Sequence, residues 1–414
     1  MITHTTSNSD LSEDSIVVDQ RQTDCCIVGG GPAGVVLALL LVRQGVSVIL
    51  LETHRDFDRD FRGDTIQPST MEIMDELDLA ERLLELPHTK TYQITLKTIR
   101  GEKVSFNFSG LKTRYPYITV MPQVKFLEFV VAEAQRYPNF QLLLGANVQA
   151  LVEERDEIGG VRYRGQGGWH EIRSQVVIGA DGRHSRVREL AGLEAIQTSA
   201  PMDVLWFRLP RLSEDGEGLN GRIGGGRMVA MLDRGDLWQI AYVFPKGTYQ
   251  KIRAAGLETL RQNILEVLPE FKDRVQELQD WHQIAFLSVE SSYVRKWYRP
   301  GLLLIGDAAH VMSPVGGVGI NYAIQDAVVA ANVLSQPFKE KHIQLSDLAA
   351  VQRQRAFPTR AIQTFQSFLQ QRIVKTALDK NQAFTPPFFL RLPILRNIPP
   401  HLIALGLKPV HVQE

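Results

Sequence analysis

The alternation of apolar and polar residues changes period several times along the 414-residue chain, and each change marks an element. Cys25 to Val28 is a short apolar run that ends in glycines. Pro32 to Arg43 is helix-length and rich in Ala, Leu and Val, with a proline where the first helical turn tolerates one. Gln44-Gly45 stops that helix, and Val46 to Leu51 is a second apolar strand. Strand, turn, helix and strand make a βαβ unit, and two largely apolar strands predict a parallel sheet covered on both faces. Further on, Ser69 to Leu86 and Val124 to Arg136 have helical spacing, and Tyr92 to Phe108 alternates as strands do. Phe140 to Arg164 predicts strands joined at Gly159-Gly160. Gln175 to Gly179 and Gly301 to Ile305 are short apolar strands, and Ile320 to Leu334 is a helix. Val204 to Ser292 is mostly strand, interrupted by one helix at about Leu257 to Val267. After Ser335 the pattern is helical to about Leu378, then rich in Pro and Leu.

The predicted architecture is therefore a discontinuous α/β domain (23–91, 118–203 and 291–335). A mainly antiparallel β-sheet domain (92–117 and 204–290) is inserted into it, and a helical region with a tail (336–414) follows. Residues 1–22, rich in Ser, Thr and Asp, read as a disordered leader without the basic and apolar blocks of a signal peptide.

Composition removes several classes. Lys plus Arg and Asp plus Glu are both 46, so there is no global basic field for nucleic acid or anionic lipid. The two cysteines, Cys25 and Cys26, are neighbours on a strand and point to opposite faces, which suits small apolar packing and not a shared metal. No disulfide framework is present, and Val35 to Val42 is too short to span a bilayer, so the expected location is the cytoplasm.

The densest chemistry lies in Gly29-Gly30-Gly31-Pro32-Ala33-Gly34, a G-x-G-x-x-G turn between strand and helix. Gly29 permits the tight turn, Gly31 lets the backbone approach a pyrophosphate, and Gly34 lets the helix pack on the strand. The helix N-terminus that begins at Pro32, with free N–H groups from Ala33 onward, faces phosphate, and Glu52 ends the next strand where a carboxylate accepts ribose hydroxyls. This is a Rossmann-like dinucleotide site, and the turn alone does not separate NAD from FAD.

Two later segments do. Val176 to Arg188 carries Gly179-Ala180-Asp181-Gly182 after a strand, and Gly306-Asp307-Ala308-Ala309-His310 continues through Ser313-Pro314 and Gly316-Gly317-Val318-Gly319 to Asn321 and Asp326. With these motifs in this order, residues 22 to 335 resemble the single-component FAD-dependent aromatic hydroxylases, the family that includes p-hydroxybenzoate hydroxylase. The resemblance implies FAD as cofactor. It puts Asp307 at the ribityl chain, with Gly306 in its turn, and Gly316, Gly317, Val318 and Gly319 near the flavin ring with Asn321 just beyond. Pro314 falls beside the ring edge where oxygen reacts. Asp181 falls near the pyrophosphate, although an aspartate there also suits a turn before a helix. Arg62, in Phe61-Arg62-Gly63-Asp64, falls close to the flavin, and Gln123 at another contact. Arg55 is a candidate contact near the adenosine, in a charged run that also reads as solvated. His310 is a candidate base, equally readable as a packing or capping residue.

No second nucleotide fold and no spaced redox cysteine pair is visible, so NADPH or NADH would visit and leave. The implied reaction is hydroxylation of an aromatic or quinol-like small molecule by O2 through a flavin C4a-hydroperoxide, with no metal required. Trp206, Arg208, Met228 and Tyr242, on strands of the insert, are the substrate-side candidates, each also readable as core. A flavin halogenase is the weaker reading, because Trp169, Trp206, Trp238, Trp281 and Trp297 are isolated and form no Trp-x-Trp signature. A prenyl-reductase type of reductase or dehydrogenase is a further alternative. The tail from Phe384 to Val412 reads either as packing on the protein or as weak contact with a membrane surface, and its prolines favour packing. Either a monomer or a homodimer is compatible with the sequence.

Overall fold

The computed structural model describes residues 17–58, 63–379 and 398–413. Its first strand, β1 (Val17–Val28), leads through the glycine turn into helix α1 (Pro32–Arg43) and strand β2 (Val48–Glu52). β1 sits centrally, parallel to β2 on one side and to Gly168–Gly179 on the other. Phe140–Leu144 extends the parallel sheet beyond β2, and Leu302–Leu304 extends it beyond Gly168–Gly179. α1 is buried along ten of its residues between this sheet and the Gly319–Lys339 helix. That is why its sequence shows almost no polar stripe.

Three local readings are corrected. Residues 17–22, placed in the leader, are strand, with Asp19 to Gln22 in register with His170 to Arg173. Their own sequence is polar, and pairing with a distant strand decides their state. The hairpin in 140–165 turns at Arg155 and Asp156, both at positive φ, and not at Gly159-Gly160. Gly160 instead marks a bulge inside the strand, where a Cβ would lie 2.0 Å from the Ile172 carbonyl oxygen. The helix expected over 69–86 is two pieces, Pro68–Glu76 and Ala80–Leu83, broken where Asp78 takes φ 59°.

A seven-stranded sheet joins both inserted stretches. Its order runs Ala285–Leu287, Met202–Pro210, Leu237–Pro245, Arg227–Asp233, Leu219–Gly224, Gln93–Thr98 and Lys103–Asn107. All neighbours are antiparallel except Leu219–Gly224 with Gln93–Thr98. One face is sealed by the Leu257–Leu265 helix and the turns after it, which bury Leu260, Ile264, Leu268 and Phe271 against Leu205, Phe207, Val229, Ile240 and Tyr242. The other face looks toward the α/β domain.

A long helix, Leu345–Leu369, widens into a π-turn at Gln370–Val374. The described end of the tail, 398–413, lies on the protein. Ile403, Ala404 and Leu405 join a cluster with Met312, Val318 and Tyr322. Beyond it Val412 N–H donates to Glu76 (2.8 Å) and the Asn332 amide brackets His411 and Gln413. Part of the tail region, residues 384–397, lies outside the described residues. No described helix is long and apolar enough to cross a membrane.

Candidate flavin and substrate site

The loops carrying the glycine motif, Glu52, Asp181 and Asp307 all follow the carboxyl ends of parallel strands, where open α/β sheets bind ligands. At the first loop the glycines divide their work. Gly29 has φ 110° and a Cβ there would lie 2.4 Å from the Ala180 carbonyl oxygen; one on Gly34 would lie 2.0 Å from the Gly29 oxygen. Gly31 differs: its Cβ would meet nothing within 4 Å. Two glycines are needed for protein packing, and the third faces open space at the N-terminus of α1, where Pro32 and Ala33 start the helix. Glu52 is nearly buried, and its carboxylate accepts from Gly30 N–H and His54 N–H (both 2.9 Å), which aims it at this loop. Arg55 is exposed on the loop that follows.

Gly306 takes φ 58° and is wedged between helices; an added Cβ would sit 3.2 Å from both Ala33 and Ala323. This holds half-buried Asp307 beside the start of α1. The Gly306 N–H donates to the fully buried Asp326 (3.0 Å), which also bonds His310 Nε2 (2.5 Å) and Arg355 Nε (2.8 Å). Burial alone would raise the Asp326 pKa, but His310 and Arg355 beside it hold the carboxyl below its usual range. His310 is therefore corrected as a base. It is 1% exposed, packs on Trp297 and is committed to Asp326, so it serves to position the Asp307 turn.

Asp181 bonds within its own turn. Its carboxylate accepts from Ser185 Oγ (2.5 Å) and Val187 N–H (3.0 Å), starting the Arg186–Leu190 helix. No motif singles out Arg188, which donates to the Ala308 carbonyl (3.0 Å) and the Arg183 carbonyl (2.9 Å) and ties the two aspartate turns together. Its partners lie 120 and 5 residues away, a pairing that no local spacing signals.

The ring-side loop is a tight turn in which Gly317 N–H donates to the Pro314 carbonyl (3.0 Å), with Gly316 at φ 83° and Gly317 at φ 62°. A Cβ on Gly317 would fall 2.8 Å from Thr65 Oγ1, so glycine is required for space as well as conformation. Val318 is buried and Gly319 opens the long helix, whose first N–H groups face this turn. Asn321 accepts from Ser69 Oγ (2.6 Å) and Thr70 Oγ1 (3.0 Å), while its Nδ2 is buried without a partner. Gln123 opens the Gln123–Ala134 helix and gives its N–H to Asp64 (3.2 Å). Arg62 lies outside the described residues. An open cradle at Gly31, a carboxylate at Glu52, a second at Asp307 and an unsatisfied amide at Asn321 are the groups a flavin dinucleotide needs.

The register of the inserted sheet sorts the substrate candidates. Trp206 faces Ala241 across the strands, Arg208 faces Gln239, and Met228 faces Val243, all on one side. Trp206, Met228 and Ala230 are half-buried there and, like Val315 of the Pro314–Gly317 turn, pack against the cluster of Val204, Ala241 and Val243. Arg208 is exposed at the end of this face, near Asp64, which Arg234 pairs. Tyr242 is corrected: it lies opposite Leu205 and Val229, on the face sealed by the Leu257–Leu265 helix, and is 3% exposed. Strand alternation separates it from Trp206 by the thickness of the sheet.

The model of the FAD binding domain family matches residues 22–364. The chain belongs to this family. It is 34% identical over 339 residues to the 6-methylpretetramide 4-monooxygenase of Streptomyces rimosus, covering 81% of each chain. It is 27% identical to the pentachlorophenol 4-monooxygenase of Sphingobium chlorophenolicum, over 73% of this chain and 56% of that one. In structure it matches the OxyS anhydrotetracycline hydroxylase of Streptomyces rimosus at a TM-score of 0.74 and 22% identity, over 95% of this chain and 78% of that one. As a member of a family of FAD-dependent aromatic monooxygenases, the protein is an oxidoreductase whose cofactor is FAD. FAD supplies the redox chemistry, and the chain supplies placement.

Proposed function

We propose that this protein takes electrons from NADPH or NADH and uses O2 to hydroxylate a phenolic or quinol-like ring of a small aromatic molecule. The observation that carries this reading is the half-buried sheet face of Trp206, Met228 and Ala230, which packs on the same cluster as Val315 of the Pro314–Gly317 turn. A slot over such a face takes a flat apolar ring and excludes water from it. Similarity to the 6-methylpretetramide and pentachlorophenol monooxygenases supports an aromatic substrate and favours ring hydroxylation over halogenation or reduction.

The residues divide the work as follows. Gly31 and the start of α1 would hold the pyrophosphate in the turn that Gly29 and Gly34 make possible, with Glu52 on the ribose, Asp307 on the ribityl chain and Gln123 as a further contact. N–H groups of the Gly316–Gly319 turn stabilise negative charge on the reduced ring. Pro314 would shield the ring edge, and Arg62 is the further flavin contact that the family resemblance implies. Arg208, at the charged end of the substrate face, orients an ionised ring hydroxyl. Two free, buried cysteines support a reducing compartment, the cytoplasm.

The decisive experiment is a screen of phenols and fused-ring phenols with the purified yellow holoenzyme. Substrate-stimulated NAD(P)H oxidation, matched O2 uptake and a product heavier by one oxygen are expected. Peroxide formed one-for-one with NAD(P)H, and no oxygenated product across the panel, would sink the reading. Asp307→Ala is expected to release FAD on gel filtration.

A further inference from the structure

The C-terminal helix carries a row of residues at four-residue spacing that the family match, which ends at residue 364, does not reach. Gln366, Gln370, Val374 and Leu378 occupy successive turns, so they share one face. All four are buried. Gln366 Nε2 donates to the Ser313 carbonyl (2.9 Å) and to the Val315 carbonyl (2.7 Å). Gln370 Nε2 donates to Ser313 Oγ, which also receives the Val315 N–H (3.2 Å). Two amides therefore clamp the residues on either side of Pro314. One turn further on, Val374 and Leu378 pack into the cluster that holds Val204, Ala241 and Val243 of the sheet, together with Trp206, Met228 and Val315. The π-turn at Gln370–Val374 lies between the clamp and the sheet contact; such turns recur at functional sites.

We propose that this helix face sets the width of the substrate slot. Gln366 and Gln370 are positioning residues that fix the Pro314–Val315 segment at its height over the sheet, and Val374 limits the size of ring that enters. The inference rests on the monooxygenase reading but tests separately from it. Among the described residues Ser313 Oγ also holds the Val315 N–H, and Ser313 is itself held by both glutamines. The sheet contact makes the helix a rigid spacer between two walls of the same slot.

The test uses full-length holoenzyme. Gln366→Met keeps the volume of the side chain and removes both N–H donors. It is expected to retain FAD, to alter the visible flavin spectrum in the absence of any substrate, and to raise peroxide release per NAD(P)H about tenfold. Gln370→Met is expected to do the same more weakly, and serves if the first variant does not fold. Val374→Phe is expected to lower kcat/KM for a fused-ring phenol about tenfold relative to phenol, through KM and not kcat. Unchanged flavin spectra and peroxide release in both glutamine variants, or an unchanged ratio in Val374→Phe, would overturn the proposal. If the parent enzyme oxygenates no phenol, the spectral comparison still decides the clamp, and the failure belongs to the substrate reading alone.

Discussion

The two faces of the inserted sheet are made by the same strands and do opposite jobs. On the far face Leu205, Phe207, Val229, Ile240 and Tyr242 are sealed under the Leu257–Leu265 helix and the turns after it. On the near face their immediate neighbours Trp206, Met228 and Ala230 remain half-buried and pack on the same cluster as Val315. One face is fully sealed, and the other is the one the proposed function gives to a ring. The difference shows why residue type alone misplaces a site residue: Trp206 and Tyr242 look alike in sequence, and only parity along the strand separates them.

Four substitutions probe that division, from the largest effect to the smallest. Phe207→Ala on the far face should cost about 3–5 kcal/mol in chemical denaturation, because the sealed core cannot collapse around the void. A loss below about 1 kcal/mol would mean the far face is not the stabilising one. At the rim of that face, Asp215 accepts from Arg274 Nη2 (2.9 Å) and Trp238 Nε1 (2.8 Å). Burial pushes its pKa up, but the Arg274 and Trp238 bonds outweigh this and leave the carboxyl below its usual range. Its contribution is therefore complete above the unfolded pKa of about 3.9 and is lost as pH falls through the lower folded value. Asp215→Asn should lose about 1–2 kcal/mol at pH 7, after allowance for solvent. The gap should close in urea melts in strong acid, and an equal gap at both pH values would contradict this assignment.

Trp206→Ala on the near face should change stability by less than about 1 kcal/mol yet reduce kcat/KM for an aromatic substrate by about tenfold or more. A large fall in melting temperature with intact turnover would reverse the roles of the two faces. Smallest of all, Tyr242→Phe should leave steady-state kinetics unchanged, with a stability change of about 1 kcal/mol or less. A clear rise in KM would restore Tyr242 to the substrate site.

Much of the nucleotide half was legible along the chain, because its signals are local. The glycine turn, its helix and Glu52 lie within 24 residues, and each glycine's duty follows from a backbone constraint that sequence spacing records. Asp307 and the Gly316–Gly319 turn were singled out instead by the family resemblance that the order of the motifs carries. Polar residues whose partners are far away were not. Residues 17–22 became strand by pairing with a segment about 150 residues on, and His310, a candidate base, is held by Asp326, which Arg355 also pairs. Gln366 and Gln370 gave no signal at all, since an amide on a helix acquires meaning only from what it meets.

By itself, then, the sequence determined the dinucleotide turn, the order of the flavin motifs and the discontinuous α/β plan, all set by short-range sterics and hydrophobic period. Tertiary structure alone decided which face of the inserted sheet is sealed, which carboxylates bond within the protein, and which helix holds the Ser313–Val315 segment. Those outcomes depend on long-range pairing and burial, and neither quantity is written in local spacing.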